Sequence, residues 1–486
     1  MKIEIKVIKR VRACMKKLYN SEEPLKIEWG IAGFILLFLI VLFLHGDTKN
    51  LITWSINMLD VTFQGHPLEY YKYSIENPNM APTQYVSGTL YSLMLWAVWN
   101  LPIWIAKQAG GVEVLNNPLV WIWGKLFLVL CLGITLKFIY NIVKEMTNDN
   151  NRAKWAMFLM TTSVFVYTGI GYGGQNDIVI CMFATAAIDC LIKKKYKMFY
   201  FLAGMAISVK YFFLIPYVAI ILLLEKKIYR IVLKVFVGCG PTLIYWLGTR
   251  FCPMVNESAN QGSPVGVLLS EMVGGAFPVV YGNAISLFIA MLLIVYVLAY
   301  LTIPKDDEEK NKFLIYYIVA ASMSMLLFST FQYYRVVMLC PFMVILLVMD
   351  EKKMRINIIL ETIVSGCLFG LLLVQAYSVL YASTVIQEDI IKLLFHCEVR
   401  VCPGLVMLAW ANFSQGMIDL GCQILATIVV VLSIVVLLIN YPRIKDNVIN
   451  IPQLKVERWI YWVRGLMVLI PVLYLNYVAI IQYNLN

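Results

Sequence analysis

The sequence predicts an all-α, polytopic membrane protein of about 11–13 transmembrane helices. Its composition is the first reason, because 61% of the 486 residues are hydrophobic and only 14% are charged. Soluble domains carry about 25% charged residues, so little of this chain can form a soluble domain. The second reason is that apolar stretches long enough to cross about 30 Å of hydrocarbon recur along the whole chain.

The net charge of +11 is distributed in a way that is typical of membrane proteins. The basic residues lie in short loops between apolar stretches, as the positive-inside rule requires of cytoplasmic loops. No Rossmann, P-loop, zinc or helix-turn-helix signature accompanies them. We therefore expect membrane lipid among the partners of the chain and no nucleic acid, and no sequence feature requires a metal or another cofactor.

The N-terminal tail, residues 1–28, is basic and is expected to be cytoplasmic. Trp29 to Leu44 forms the first predicted span, and no small-residue cleavage site follows it. This pattern indicates an uncleaved anchor and a multi-pass protein of the cell membrane. A long outer loop over residues 47–118 is expected next.

The later spans follow from the alternation of basic inner loops with outer loops. The first three are predicted at residues 119–142, 156–170 and 178–192. Further spans are predicted to begin near Ile231, Phe277, Leu314, Val336, Ile356, Ile418 and Trp459.

The segment 198–224 lies between two basic loops and is too short for two full spans at about 1.5 Å per residue. We expect a hairpin there that turns near Lys210 and lines a cavity. Residues 29–349 would then form the main transmembrane module. Residues 350–486 would form a C-terminal group of helices with an outer loop at 383–417.

Two features leave alternatives open. Thr89 to Ile105 is apolar enough to span, but a span there would place the basic run at 193–197 outside. We favour a helix on the outer surface with its tryptophans, Trp96, Trp99 and Trp104, at the membrane interface. Cys397 and Cys402 share one outer loop, where they either form a disulfide or stay free thiols.

Five polar residues interrupt the apolar pattern where predicted spans meet the outer face. They are Asp47, Gln175, Asp177, Lys210 and Arg335. Ionisable groups at the mouths of spans are costly to keep there, which makes them candidates for a functional site. Carboxylates beside cations can activate a hydroxyl and neutralise a phosphate at the depth of the lipid headgroups.

Motifs in a fixed order surround these residues. In chain order they are Gly46-Asp47, Asn77–Tyr85, Gly124-Lys125, Gly174–Asp177, Gly204–Pro216 and Tyr333–Arg335. The set covers residues 30–345 and resembles the membrane-embedded GT-C glycosyltransferases, most closely the bacterial relatives of the GPI mannosyltransferases. The chain departs from their pattern in having tyrosines before the late arginine and no acidic residue in the second span, which bears on donor binding.

The resemblance implies a GT-C-like architecture and an inverting transfer of a sugar, with mannose as one candidate, on the extracytoplasmic side. The donor would be a polyprenyl-phosphate sugar, and the acceptor a lipid-linked or cell-surface glycan of the cell envelope. Asp47 would be the general base, and Lys210 and Arg335 would hold the lipid phosphate. Gln175 and Asp177 would orient hydroxyls of the donor or the acceptor.

Each residue has a plainer alternative role. Asp60 competes with Asp47 as the base, Asp177 suits a helix N-cap, Lys210 could snorkel, and Arg335 could be an interfacial anchor. For the whole chain, the alternatives are a lipid or solute transporter or flippase, and a catalytically silent scaffold of a polysaccharide assembly complex. Transporters often contain two related halves, and no second copy of these motifs is found, which favours the enzyme.

Overall fold

A computed structural model describes most of the chain. The described residues are 23–79, 90–174, 176–254, 276–280, 283–328, 333–375, 390, 392–393, 396, 415–443 and 459–484. Within them the chain is helical apart from one antiparallel hairpin, β1 (Ala276–Val280) and β2 (Asn283–Ser286), which confirms the helical fold class. Gln175, Cys397, Cys402 and most of the loop 383–417 lie outside the described residues.

Within the described residues, several helices are joined by short loops or by turns of 3-10 helix. In chain order they are α1 (Lys26–Leu42), α2 (Gly46–Phe63), α3 (Tyr70–Glu76), α4 (Leu90–Gly110), α5 (Pro118–Thr147), α6 (Asn150–Thr161), α7 (Asp177–Ile192), α8 (Tyr196–Val209), α9 (Leu214–Leu224), α10 (Ile228–Gly238), α11 (Gly240–Thr249), α12 (Leu287–Leu301), α13 (Asp307–Phe328), α14 (Cys340–Met349), α15 (Glu351–Gln375), α16 (Gln415–Ile439) and α17 (Trp459–Asn484).

Several helices have the length and composition that crossing a membrane requires. Among the described residues, α5, α13, α15 and α16 qualify individually, and α10 with α11 would make a further span bent by 52°. Shorter apolar helices include α8, α9, α12 and α14. These helices are those of a membrane protein, while the larger number of about 11–13 spans and the orientation stay predictions.

One predicted span is broken. Residues 156–170 were expected to form a single helix, but α6 ends at Thr161 and a one-turn helix (Val164–Val166) leads into a π-helix (Tyr167–Tyr172). Local hydroxyl groups explain the break, because Ser163 Oγ accepts a hydrogen bond from the N–H of Phe165 and starts a new helix. π-Helical turns are often found at functional sites, and this one precedes Asp177.

Another expectation is wrong at the start of α12. A span was predicted to begin near Phe277, but residues 276–280 and 283–286 pair as the strands β1 and β2, and α12 begins only at Leu287. Ser286 caps α12, since its Oγ accepts from the N–H of Ile289. The apolar content of the hairpin resembles that of a buried helix, and composition alone does not separate the two.

The tryptophans of α4 make contacts within the protein. Trp96 is fully buried. Trp99 Nε1 donates to the backbone oxygen of Trp123 at 2.8 Å, and Trp104 Nε1 donates to Asp60 Oδ1 at 2.9 Å. Helix α4 packs against α2 and turns these side chains toward protein acceptors. The expectation is wrong for the buried Trp96, and for the partly buried Trp99 and Trp104 it stays a prediction.

The expected hairpin is present at residues 196–224. Helix α8 ends at Val209, the backbone is extended at Lys210, and a 3-10 turn (Tyr211–Phe213) leads into α9. Helix α7 packs against both α5 and α8. The hairpin thus brings Lys210 to the end of the bundle where α7 begins.

Candidate functional site

Asp177 and Lys210 form an ion pair at the start of α7. The Lys210 ammonium lies 2.6 Å from Asp177 Oδ1. Asp177 is fully buried, and the side chain of Lys210 is 26% exposed. The second carboxylate oxygen, Oδ2, is buried and has no hydrogen-bond partner among the described residues. Asp177 is the first residue of α7, and the N-cap position belongs to Asn176. Its carboxylate pairs with the Lys210 ammonium, so Asp177 is not a simple N-cap.

Arg335 lies beside the hairpin of α8 and α9, which carries Lys210. Its guanidinium is 4.7 Å from the centre of the Phe212 ring, two residues after Lys210, which is within the range of a cation–π interaction. Arg335 also lines a narrow apolar crevice between α7, α9, α13 and α14. Its other walls include Ile180, Pro216, Met325 and Phe342. A cation in the wall of an apolar crevice suits an amphiphile with an anionic head.

Asp47 lies on a different helix, α2, whose start is hydrogen-bonded to the loop before Asp177. It lies in the first turn of α2, and its side chain is 43% exposed. The next residue, Thr48, donates from Oγ1 to the backbone oxygen of Gly174 at 3.1 Å. Gly174 precedes Asp177 by one short loop, so the start of α2 adjoins the loop that leads to the ion pair.

His45 caps α2 and contacts Asp47. The N–H of Asp47 donates to His45 Nδ1 at 3.1 Å, so this nitrogen carries no proton. Burial lowers the pKa of His45 below its ordinary value, against the opposing effect of the Asp47 carboxylate. The contact of 3.8 Å between His45 Nδ1 and Asp47 Oδ2 therefore joins a neutral imidazole to a carboxylate, rather than two opposite charges.

Asn176, the residue before Asp177, is held in place by side chains of α4. Its Oδ1 accepts from Trp96 Nε1 at 3.0 Å, and its Nδ2 donates to Ser92 Oγ. Both partners belong to α4. The loop after the π-helix is therefore held from α4 as well as from α2.

The hydrogen bonds that the Asp60 carboxylate accepts argue against a role for Asp60 as the general base. Its carboxylate is 5% exposed and lies 2.5 Å from the Lys107 ammonium. It also accepts hydrogen bonds from Trp104, Gln108 and Tyr73. A carboxylate with this many donors stabilises the packing of α4 on α2 and has little capacity left for an acceptor hydroxyl.

The structure adds one residue to those predicted as site residues. Lys125 is fully buried in α5, and its ammonium donates to backbone oxygens on both sides of the site: Phe43 at 2.7 Å, Gly171 at 2.5 Å and Ile40 at 3.3 Å. The sequence signal was a single lysine within the apolar start of α5. Its partners could not be read from the sequence, because they are backbone atoms of distant segments.

Of the five predicted residues, three lie together. Asp177 pairs with Lys210, and Arg335 contacts Phe212 in the 3-10 turn that directly follows Lys210. Asp47 is connected to this region through Thr48 and Gly174. Gln175 lies outside the described residues. The described part of the chain contains no group of three or more His, Cys, Asp or Glu side chains arranged to hold a metal ion.

Comparison of the chain with known protein families, with curated proteins and with solved structures finds no match.

Proposed function

We propose that this chain is an inverting, membrane-embedded glycosyltransferase of the GT-C type. It would move a sugar, with mannose as one candidate, from a polyprenyl-phosphate donor to a lipid-linked or cell-surface glycan on the extracytoplasmic side. The observation that carries this proposal is the grouping of Asp177, Lys210 and Arg335 next to the loop that adjoins Asp47.

The division of roles is supported by the different surroundings of the two carboxylates. Asp47 is 43% exposed, so an acceptor hydroxyl can approach it. Asp177 is buried against Lys210 and is suited to position that cation. Its Oδ2 is buried as well, so a sugar hydroxyl would reach this oxygen only after the side chains around it move.

The proposed reaction is a single displacement. The Asp47 carboxylate removes the proton of the acceptor hydroxyl while the hydroxyl oxygen attacks the anomeric carbon of the donor. The bond between that carbon and the phosphate oxygen breaks, and its electron pair leaves with polyprenyl phosphate. Arg335 and Lys210 stabilise the negative charge that develops on the leaving group. The lipid phosphate is the leaving group, so no nucleotide sugar is needed.

The experiment is transfer of labelled sugar from polyprenyl-phosphate donors to lipid-linked acceptors by purified protein in vesicles. Asp47→Asn should lower the transfer rate by about 100-fold or more, the usual contribution of a general base. Glu76→Gln is the matched control, because Glu76 is an exposed carboxylate on α3. Equal rates for wild type and Asp47→Asn would remove Asp47 from the reaction, and no transfer from any donor would reject the enzyme.

One observation favours a transporter as the second candidate. Arg464 and Glu361 form a fully buried ion pair between α17 and α15, and Arg464 also donates to the backbone oxygen of Leu159. Ionisable groups within membrane helices are often part of a transport pathway. Flux of lipid or solute through vesicles that is lost in Glu361→Gln, with no sugar transfer, would favour this candidate.

A further inference from the structure

Lys125 is a buried cation to which the proposed reaction gives no role. Its side chain is fully buried about two turns into α5. No carboxylate pairs with it among the described residues. A buried charge is costly unless other groups compensate it, so the contacts of its ammonium indicate what the chain gains from keeping it.

All three ammonium donors of Lys125 reach backbone oxygens. Two belong to the end of α1, at Ile40 and Phe43, and the third belongs to Gly171 in the π-helix. The last carbonyls of a helix lack partners within the helix and carry its negative dipole end, so a cation is favoured there. The positive charge is therefore compensated by backbone dipoles of two separate segments.

These two segments lead to the two carboxylates of the candidate site. Phe43 precedes Asp47 by a short loop, and Gly171 precedes Asp177 by another. The stem of Lys125 lies along the second loop, because a Cβ placed on Gly174 would be 3.5 Å from Lys125 Cε. A single side chain thus joins the segment before the proposed base to the segment before the ion pair.

We propose that Lys125 is a positioning residue that fixes the loop of Asp47 relative to the loop of Asp177 through these three backbone oxygens. The role of Lys125 in sugar transfer rests on the proposed function, whereas its connection of the two loops does not. Thr48 provides a second, neutral connection through its hydrogen bond to Gly174. Removal of Lys125 should therefore loosen both loops without separating the helices.

Hydrogen exchange of the purified protein in lipid nanodiscs tests the connection. Lys125→Met keeps the length of the stem and removes the donors, and Lys125→Gln keeps part of the donor capacity if the first variant does not fold. Exchange in segments 40–48 and 167–174 should become roughly tenfold faster or more, with α8 and α9 unchanged. Lys137→Met is the matched control, because Lys137 is an exposed lysine of the same helix.

Three outcomes would overturn the proposal: unchanged exchange in both segments, faster exchange in one segment only, or a uniform increase along the chain. Sugar transfer provides the second readout. A positioning role lowers kcat and leaves KM for the donor nearly unchanged, and a purely structural role leaves both unchanged per folded molecule. If the wild type transfers no sugar, the proposed function fails, but the exchange result still decides whether Lys125 joins the two loops.

Discussion

The ammonium of Lys210 lies 2.6 Å from the carboxylate of Asp177, which is fully buried at the start of α7. Lys210 interrupts the hairpin of α8 and α9, so the pair ties the hairpin to α7. Removing one partner of a buried pair leaves the other charge uncompensated. The relationship therefore predicts a stability effect that does not depend on the reaction.

Lys210→Met should lower the free energy of unfolding by about 3–5 kcal/mol, because the Asp177 carboxylate would stay buried without its cation. The double variant Lys210→Met, Asp177→Asn should recover a large part of that loss. Unfolding of the solubilised protein followed by tryptophan fluorescence measures both. Lys194→Met is the control, because its ion pair with Asp307 is exposed and should contribute little. Additive effects of the two substitutions would contradict the coupling.

A second prediction concerns pH. Burial lowers the pKa of His45 below its ordinary value of 6.5, so the unfolded chain binds a proton at a pH where the folded chain does not. The contribution of His45 to stability is therefore fully present above about pH 6.5 and decreases as the pH falls below it. His45→Asn keeps an N-cap acceptor and removes the titration.

The measurement is the melting temperature of the wild type and of His45→Asn between about pH 7.5 and 5. The wild type should lose more stability than the variant on acidification. The same slope for both proteins would show that other groups cause the acid sensitivity. His396→Asn is a control for the loss of a histidine outside this site.

A third prediction concerns Gly174, whose φ of +53° lies in the left-handed region. A Cβ there would lie 2.1 Å from Thr48 Oγ1. Gly174→Ala should therefore destabilise the protein by about 1–3 kcal/mol and disturb the hydrogen bond from Thr48. Gly133→Ala should stabilise it by up to about 1 kcal/mol, since Gly133 lies within α5 with open space beside it. Chemical denaturation of the two variants should give changes of opposite sign.

A fourth prediction separates Asp60 from Asp47. Asp60→Asn should lower the melting temperature, because the Lys107 ammonium loses the opposite charge at 2.5 Å. The rate of sugar transfer per folded molecule should change by less than about tenfold, because Asp47 and not Asp60 is the base in the proposed reaction. Asp47→Asn should show the reverse, with a normal melting temperature and a large loss of transfer. A loss of transfer in Asp60→Asn at unchanged stability would make Asp60 the base.

Hydrophobic periodicity was sufficient to locate most helices. The predicted spans at residues 119–142 and 178–192 correspond to α5 and α7, and the hairpin at Lys210 was expected from the distance between two basic loops. The break of the predicted span at residues 156–170 was not expected, because the hydroxyl groups of Thr162 and Ser163 can either face lipid or bind the backbone. The strands β1 and β2 were missed for a similar reason, since apolar strands and apolar helices share a composition.

Composition and residue order are enough to predict a helical membrane protein with charged residues at the ends of particular helices, because hydrophobicity and its period follow directly from the order of residues. The contacts of those charges depend on how the helices pack together. Asp177 meets Lys210, Asp60 meets Lys107, and the Lys125 ammonium meets three backbone oxygens. A backbone oxygen exists at every position and has no sequence signature, so its use as a partner appears only when the segments are packed together.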